Sequence, residues 1–204
     1  MSCVSGSVKP LVKTSNPSHN SLELNPVTGI IDGVEYIASP NYDSRPPGTS
    51  IDLLVIHSIS LPPGEYGGSA ITELFTNLLN PASHPYFSSI STLKVSAHFF
   101  IRRTGELIQF VPTIQRAWHA GASSYNGRER CNDFSIGIEL EGTDDTPFET
   151  AQYQTLITLS KLIMYHYPAI DLTRIVGHSD IAPGRKTDPG NCFDWTSFRK
   201  KLME

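Results

Sequence analysis

The feature that most constrains the fold is an uninterrupted apolar run at residues 51–59, IDLLVIHSI. The run is rich in branched aliphatic side chains and lacks the alternation of polar and apolar residues that a half-exposed strand shows. A strand of this kind is buried on both faces, as in the parallel sheets of α/β proteins. The run therefore predicts a central strand with structure packed on either side of it.

The rest of the chain supplies strands and helices that alternate irregularly around that run. Four more segments have the composition of strands: 34–38, a hairpin at 95–112, 134–142, and 174–180, which runs into a loop. Three segments place apolar residues at helical spacing: 71–79, 151–168 and 194–202. Asp194 is the expected N-cap of the last helix. We expect a single α/β domain with a central mixed β-sheet flanked by helices.

The composition of the chain predicts where the domain begins and which classes of partner it lacks. Residues 1–33 are rich in Ser, Asn, Pro and Gly without a period, which predicts a loosely ordered N-terminal arm before a domain at 34–204. A net charge of −4 disfavours electrostatic capture of nucleic acid. No apolar stretch resembles a membrane span or a signal segment, and the odd set Cys3, Cys131 and Cys192 has no disulfide framework spacing. We expect a cytoplasmic protein with free thiols and with no membrane, nucleic-acid or obligate protein partner.

Two histidines lie where predicted strands end. His57 closes one strand, His178 follows another, and Asp188 lies ten residues after His178. Side chains at strand ends are held by a rigid sheet and can face a cleft. Two imidazoles and one carboxylate form a zinc ligand set whose fourth position is open for water, which is typical of a catalytic zinc.

Spacing alone does not distinguish a metal-binding histidine from an ordinary one. A single histidine is more often a surface residue or a satisfied core residue than a ligand. His98 and His119 lie in SAHFFIRR and RAWHAG, which could also line a cleft, whereas His19, His84 and His166 fall in the arm, a loop and a helix end.

Glu139 and Glu141 are the acidic residues most suited to catalysis. Period-2 alternation places both on one face of the strand at 134–142, opposite Ile138 and Leu140. They are either a solvent-facing edge pair or include a general base beside a metal. Lys186, two residues before the carboxylate ligand candidate, is either a solvated loop residue or a source of positive charge for an oxyanion.

Six segments together resemble AmpD-type enzymes, a family of cytoplasmic 1,6-anhydro-N-acetylmuramoyl-L-alanine amidases. They follow the family's order between residues 36 and 202: LLVIHSISLPPGEYGG, HPYF, VSAHFFIRRTGELIQFVP, RAWHAG, GRERCNDFSIGIELEGTD and GHSDIAPGRKTDPG. The wider family includes amidase-type phage lysozymes and peptidoglycan-recognition domains, and the resemblance implies their fold.

The resemblance implies that His57, His178 and Asp188 bind one zinc ion per chain, with Glu139 as general base and Lys186 as oxyanion stabiliser. It also implies a set of substrate-binding residues: Ser58, Lys94, Trp118, Arg130, Ala182 and Arg185. Within that set, Trp118 is expected to contact the sugar. The peptide and its carboxylates are expected to contact Lys94, Arg130, Ala182 and Arg185.

Three positions depart from the family pattern. Ser58 stands where relatives usually have Asn, and Lys94 stands where many have Arg. A lysine cannot form the bidentate carboxylate contact of an arginine. Cys192 belongs to a segment that replaces a Pro-small pair. Because some members of the wider family use Cys as third ligand, Cys192 is an alternative to Asp188, although it lies four residues further on.

The activity that the resemblance implies is hydrolysis of the amide between the lactyl group of (1,6-anhydro-)N-acetylmuramic acid and L-alanine. The substrate would be a small muropeptide recovered during cell-wall recycling. Two alternatives remain: a muropeptide-binding module without catalysis, and an amidase that acts on intact peptidoglycan. The full set of implied ligands, with Glu139, disfavours the first. The lack of a recognisable signal segment disfavours the second.

Overall fold

The computed structural model describes residues 22–204. Its strands are β1 (Glu23–Leu24), β2 (Ile31–Asp32), β3 (Glu35–Tyr36), β4 (Tyr42–Asp43), β5 (Leu53–Ile59), β6 (Phe99–Ile101), β7 (Leu107–Gln109), β8 (Arg116–Ala117), β9 (Ser124–Tyr125), β10 (Arg128–Glu129), β11 (Ser135–Glu141) and β12 (Ile175–Gly177). Its α-helices are α1 (Ala70–Phe75), α2 (Thr150–His166), α3 (His178–Ile181) and α4 (Trp195–Met203). Short 3₁₀ helices occupy Pro85–Ser89, Cys131–Asp133 and Leu172–Arg174.

A six-stranded mixed sheet forms the centre of the domain, in the order β12-β5-β11-β6-β7-β3. The first four strands in this order are parallel to one another, and β7 is antiparallel to β6 and parallel to β3. The predicted mixed sheet flanked by helices is therefore confirmed. The predicted hairpin at 95–112 is the antiparallel pair β6–β7.

The two central strands divide their side chains between the two faces of the sheet. Leu54 and Ile56 of β5 pack with the apolar residues of α2 and α4 in the main core. Leu53 and Val55 point to the opposite face, where they pack with a smaller cluster that includes Val176. The apolar run at 51–59 is thus covered on both sides, because both layers exclude water from the strand. The odd-numbered face of β5 also carries His57.

The β11 strand repeats this division. Ile136, Ile138 and Leu140 join the main core beneath α2, so the face that carries Glu139 and Glu141 lies away from that helix. The predicted shared face of the two glutamates is confirmed. The long helix supplies the apolar layer, and the opposite face of the sheet is left for polar groups.

The N-terminal boundary of the domain differs from the sequence-based expectation. Residues 1–21 of the predicted arm lie outside the described residues, but residues 22–33 form a β1–β2 hairpin instead of a loose segment. Leu24 and Ile31 are buried in the main core. The Gln109 side chain accepts a hydrogen bond from the Ile31 N–H at 2.9 Å and donates one to the Gly29 carbonyl at 2.8 Å. Both hydrogen bonds fasten the hairpin to β7.

Element ends also differ in detail. The predicted helix at 71–79 ends at Phe75, and the chain turns at Asn77, which has a positive φ of 62°. The segment after β12 enters α3 instead of a loop, and His178 is the first residue of that helix. Asp194 caps α4, since its side chain accepts from the Ser197 N–H at 2.9 Å, and this prediction is confirmed. Within residues 22–204, no helix is both long enough and apolar enough to cross a membrane.

A core substitution tests whether the hairpin belongs to the domain. Ile31 is 1% exposed, whereas Val27 in the connecting turn is 81% exposed. We expect Ile31→Ala to lower the free energy of unfolding by about 2–5 kcal/mol, because it leaves a cavity in the main core. Val27→Ala is the matched control and should change it by less than about 0.5 kcal/mol. Urea unfolding of both variants measures this, and equal, small effects would separate the hairpin from the domain.

Candidate metal centre

Three elements at one end of the sheet bring the predicted ligands together. His57 lies near the carboxyl end of β5, and His178 follows directly on the neighbouring strand β12. Asp188 lies in the loop after α3, and its carbonyl accepts a hydrogen bond from the Ser179 N–H at 3.0 Å. The loop is therefore tied back to the helix that carries His178.

The three side chains form a nearly equilateral triangle of donor atoms. Nδ1 of His57 lies 3.0 Å from Nδ1 of His178 and 3.2 Å from Oδ2 of Asp188, and the remaining edge is 3.1 Å. A tetrahedral zinc ion with bonds of about 2.0–2.1 Å requires ligand–ligand edges of about 3.3 Å. The residues present thus fit a zinc ion in both chemistry and spacing. Among residues 22–204, these three are the only group of His, Cys, Asp or Glu close enough to share an ion.

The electrostatics of the triangle match what a metal requires. Burial lowers the pKa of His57 to about 4, so its imidazole is neutral at pH 7. Burial opposes ionisation of Asp188, but hydrogen bonds from His178 and His57 outweigh it and hold the pKa of Asp188 well below its usual range. A metal ligand must be deprotonated to bind. The cluster therefore already offers one anionic oxygen and a neutral imidazole.

Glu139 lies directly beside this triangle. The parallel register pairs Glu139 of β11 with His57 of β5. Burial, followed by repulsion from Asp188, raises the pKa of Glu139 well above its ordinary value, and Lys186 only partly opposes this. Among residues 22–204, the buried Oε2 atom of Glu139 has no hydrogen-bond partner. A carboxylate with a raised pKa and an unpaired oxygen in a cleft is suited to accept a proton from a bound molecule.

A cleft of about 610 Å³ opens over these residues. Its lining includes Ser58, Glu139, His178, Lys186 and Asp188. The lysine is exposed at the rim, whereas the histidine is 3% exposed at the floor. The metal triangle and the carboxylate therefore face a common space large enough for a small organic substrate.

Comparison with known proteins identifies the family. Residues 47–191 match the family described as N-acetylmuramoyl-L-alanine amidase (Amidase_2), which is well over half of the 204-residue chain. The chain belongs to this amidase family. The resemblance drawn from the sequence motifs is thereby confirmed.

Individual relatives agree with this assignment. The chain is 58% identical over 163 residues to the 1,6-anhydro-N-acetylmuramyl-L-alanine amidase AmpD of Citrobacter freundii. The aligned region covers 80% of this chain and 87% of the relative. A crystal structure of a selenomethionine AmpD derivative has a TM-score of 0.85 at 53% identity and covers 88% of this chain and 99% of that one. The amidase AmiD of Escherichia coli, in complex with the substrate anhydro-N-acetylmuramic acid-L-Ala-D-γ-Glu-L-Lys, has a TM-score of 0.57 at 30% identity and covers 77% of this chain and 60% of that one.

The predicted substrate-binding residues of this amidase fall into three places. Ser58 and Trp118 line the main cleft, together with Arg185. Arg130 and Ala182 lie instead in an adjoining depression of about 540 Å³, to which Arg185 also belongs. Lys94 is exposed and lines neither space, although its neighbours Leu93 and Val95 line the cleft.

Two of these side chains already have partners within the domain. Arg185 donates to the carbonyl oxygens of Ala120 and Ala122, both at 2.7 Å. The indole N–H of Trp118 donates to Oδ1 of Asp43 at 3.3 Å. Arg185 therefore braces the loop that closes over His178, a role that the motif comparison alone did not indicate.

Glu141 and Cys192 do not have the positions that the sequence analysis considered for them. Glu141 is 2% exposed, not a solvent-facing edge residue, and its carboxylate accepts from the N–H groups of Gly67 and Arg103. It anchors the loop after β5 to the β6–β7 turn. Cys192 is a free, half-buried thiol outside the metal triangle. The closeness of Asp188 to both histidines accounts for a third ligand without it.

Glu139 and Glu141 have different environments, so we expect their substitution to have opposite effects on the stability of the metal-free protein. Because the folded-state pKa of Glu139 is raised, folding is weakened as the pH rises from the unfolded value of about 4.3 through the folded one. Glu139→Gln lacks this ionisation. It should therefore be more stable than the wild type at neutral pH, and the advantage should vanish toward pH 4. Thermal unfolding across this pH range, in chelator, measures the difference.

Glu141→Gln is the matched control, with the opposite sign. The Glu141 carboxylate accepts hydrogen bonds from two backbone N–H groups, so the variant should lose about 1–3 kcal/mol of stability at neutral pH. A Glu139→Gln variant that was less stable than the wild type at pH 7 would show that the Glu139 carboxylate has a stabilising partner.

Proposed function

We propose that this chain is a zinc-dependent hydrolase that cleaves the amide between the lactyl group of (1,6-anhydro-)N-acetylmuramic acid and L-alanine in muropeptides. The observation that carries the proposal is the triangle of His57, His178 and Asp188 with an unpaired Glu139 oxygen beside it, in one cleft. The proposed reaction is also supported by the family of the chain, which is described as N-acetylmuramoyl-L-alanine amidase and is thus named for cleavage of this amide bond.

The substrate assignment is supported by the relatives. AmpD of Citrobacter freundii is named for the 1,6-anhydro form of the sugar, and the AmiD complex holds an anhydro-muropeptide. A soluble muropeptide is the corresponding ligand of the cleft in this chain. We further propose that the reaction serves cell-wall recycling in the cytoplasm. The free thiols of Cys131 and Cys192 suit a reducing compartment.

The metal would be held by Nδ1 of His57, Nδ1 of His178 and the carboxylate of Asp188. Zinc bound there would supply Lewis-acid chemistry: it would polarise a carbonyl oxygen and lower the pKa of a water molecule toward about 7. The side chains supply the proton transfers. Glu139 removes a proton from the attacking water and, once protonated, donates it to the nitrogen of the leaving L-alanine. The raised pKa of Glu139 suits both roles.

Lys186 lies at the rim of the same cleft. Its ammonium group would stabilise the negative charge that develops on the lactyl carbonyl oxygen as water attacks. Because its charge also opposes the rise in the pKa of Glu139, the lysine lies close enough to influence the base. No covalent acyl-enzyme is required, and neither Ser58 nor Cys192 is proposed as a nucleophile.

The substrate would extend from the cleft into the adjoining depression. Trp118 offers an aromatic surface to the sugar, and Ser58 a hydroxyl next to the first ligand. Arg130, Ala182 and Arg185 line the depression, where the stem peptide and its carboxylates would lie. Lys94 would contribute only through long-range charge, since it lines neither space.

Metal content tests the ligand set. We expect His178→Ala to lose most of its zinc, because it removes one of three ligands and leaves an open site. Cys192→Ser is the control and should retain zinc at the wild-type ratio. Elemental analysis of protein purified in zinc-containing buffer measures both. Full occupancy in His178→Ala, or loss of metal in Cys192→Ser, would contradict the proposed ligands.

Turnover tests the acid–base role. Glu139→Gln keeps the size of the side chain but removes its basicity, so kcat should fall by about 10²- to 10⁴-fold while zinc and substrate binding persist. Lys186→Ala should also lower kcat, with zinc content unchanged. Single-turnover rates and muropeptide affinity separate these effects. If Glu141→Gln were inactive and Glu139→Gln active, the assignment of the base would be wrong.

A further inference from the structure

The two ring nitrogens of His57 face different surroundings. Nδ1 points into the ligand triangle, and Nε2 lies 2.9 Å from Nδ1 of His119. His119 is 8% exposed and lies behind the ligand, at the inner wall of the cleft. The second ligand, His178, instead places its Nε2 atom 3.1 Å from the carbonyl oxygen of Ala120. The two imidazole ligands thus have different second partners.

The protonation pattern behind His57 follows from its role as a ligand. If Nδ1 binds a metal, that nitrogen carries no proton and the ring proton sits on Nε2. This N–H must donate to Nδ1 of His119, so the His119 proton sits on its own Nε2. That atom lies 3.2 Å from Oγ of Ser135, which can accept the second hydrogen bond. His57, His119 and Ser135 would therefore form one directed series of hydrogen bonds behind the metal position.

The Asn132 side chain holds the backbone of His119, and Gly137 leaves room for its ring. The side-chain oxygen of Asn132 accepts from the N–H groups of His119 and Ala120, at 3.1 and 2.8 Å. The ring lies against β11 at Gly137, where a Cβ atom would come within 2.6 Å of the imidazole. Any larger residue at 137 would collide with the ring. The close approach shows that this position of β11 accommodates His119 instead of a side chain of its own.

Ser135, the last member of this series of hydrogen bonds, is held in place as well. Arg45 donates to the carbonyl oxygen of Ser135 at 2.8 Å and to the carbonyl oxygen of Asn132 at 3.1 Å. The half-buried Arg45 guanidinium therefore holds both Ser135 and Asn132, the two residues that form hydrogen bonds with His119. The hydrogen-bond acceptor of His57 is mounted on rigid elements, as an orienting group behind a metal ligand must be.

We propose that His119 is a positioning residue, which fixes the proton of His57 on Nε2, presents Nδ1 to the metal and thereby raises zinc affinity. This inference rests on the zinc centre proposed above. Its alternative is that His119 is only a core residue that fills space between β11 and the loop before Cys131–Asp133.

His98 provides the comparison that separates these roles. It is more deeply buried than His119, and the two ring centroids lie 5.7 Å apart. Nδ1 of His98 accepts from the Gly137 N–H at 3.0 Å, and its Nε2 lies 3.1 Å from the Gln115 carbonyl. Within residues 22–204 it has no hydrogen bond to a proposed ligand. Its replacement should disturb packing without affecting the proton of His57.

The experiment compares His119→Leu, His119→Asn and His98→Leu in the full chain. Zinc affinity is measured by competition with a chromophoric chelator, and unfolding in urea is measured on the metal-free proteins. His119→Leu should weaken zinc binding by about 10- to 100-fold, the usual effect of losing a group that orients a ligand. His119→Asn should recover part of that loss, because its carbonyl oxygen can accept near the position of Nδ1. His98→Leu should bind zinc as tightly as the wild type.

Nitrogen-15 spectra of the histidine rings give a readout that packing alone would not change. In the zinc-loaded wild type, His57 should show a protonated, hydrogen-bonded Nε2, and in His119→Leu this proton should exchange faster with solvent. Unchanged zinc affinity in His119→Leu would overturn the inference while leaving the zinc centre intact. Equal losses of affinity in His119→Leu, His119→Asn and His98→Leu, in proportion to lost stability, would reduce His119 to a packing residue. A wild-type protein that bound no zinc would refute the metal centre itself.

Discussion

The parallel pairing of β5 with β11 is the interaction on which the site depends. Its register sets His57 opposite Glu139 and directs both onto the face of the sheet away from α2. A slip of one residue would turn the entire polar set of a strand toward the main core, because side chains alternate with a period of two. The register is held by the branched aliphatic residues on the other face, so the apolar core of α2 and α4 determines where the metal ligand and the base meet.

The site places polar groups where an ordinary core would not. Glu139 has a buried, unpaired oxygen among the described residues, and the Asp188 carboxylate lies between two imidazoles. Burial of such groups without full compensation costs stability. A bound cation would relieve that cost for Asp188, and a proton taken from the attacking water would relieve it for Glu139. The unfavourable features of the cleft are thus the ones that its proposed chemistry uses.

The sequence predicts best the elements whose patterns are long and regular. The run at 51–59, the strand at 134–142 and the helix at 151–168 each appear within a few residues of their expected ends. The β1–β2 hairpin escapes prediction because two-residue strands carry no period, and Leu24 and Ile31 acquire meaning only when they reach the core. The early end of α1 at Phe75 reflects a turn at Asn77 that apolar spacing does not encode.

The ligand set can be predicted from the sequence, because the family motifs specify the residue types of the ligands. The residues that support the ligands from behind cannot be predicted in this way. The sequence groups His119 with other histidines that could line a cleft, since its role arises from contacts with Ser135 and Asn132, which come from other parts of the fold. A glycine at 137 in a strand of branched residues is the one available signal, because glycine in a strand interior often marks close approach of another group. Glu141 shows the converse, since a residue identical to the proposed base proves to be a structural anchor.

The central claim is that the triangle of His57, His178 and Asp188 holds a zinc ion used to cleave one particular amide. The most direct test is mass spectrometry of the products formed from a defined anhydro-muropeptide and its reducing-end counterpart, with and without a zinc chelator. We expect release of the intact stem peptide beginning at L-alanine, together with free anhydro-N-acetylmuramic acid. We also expect the chelator to abolish cleavage and added zinc to restore it. Cleavage at another bond, or undiminished cleavage by protein shown to be free of metal, would contradict the claim.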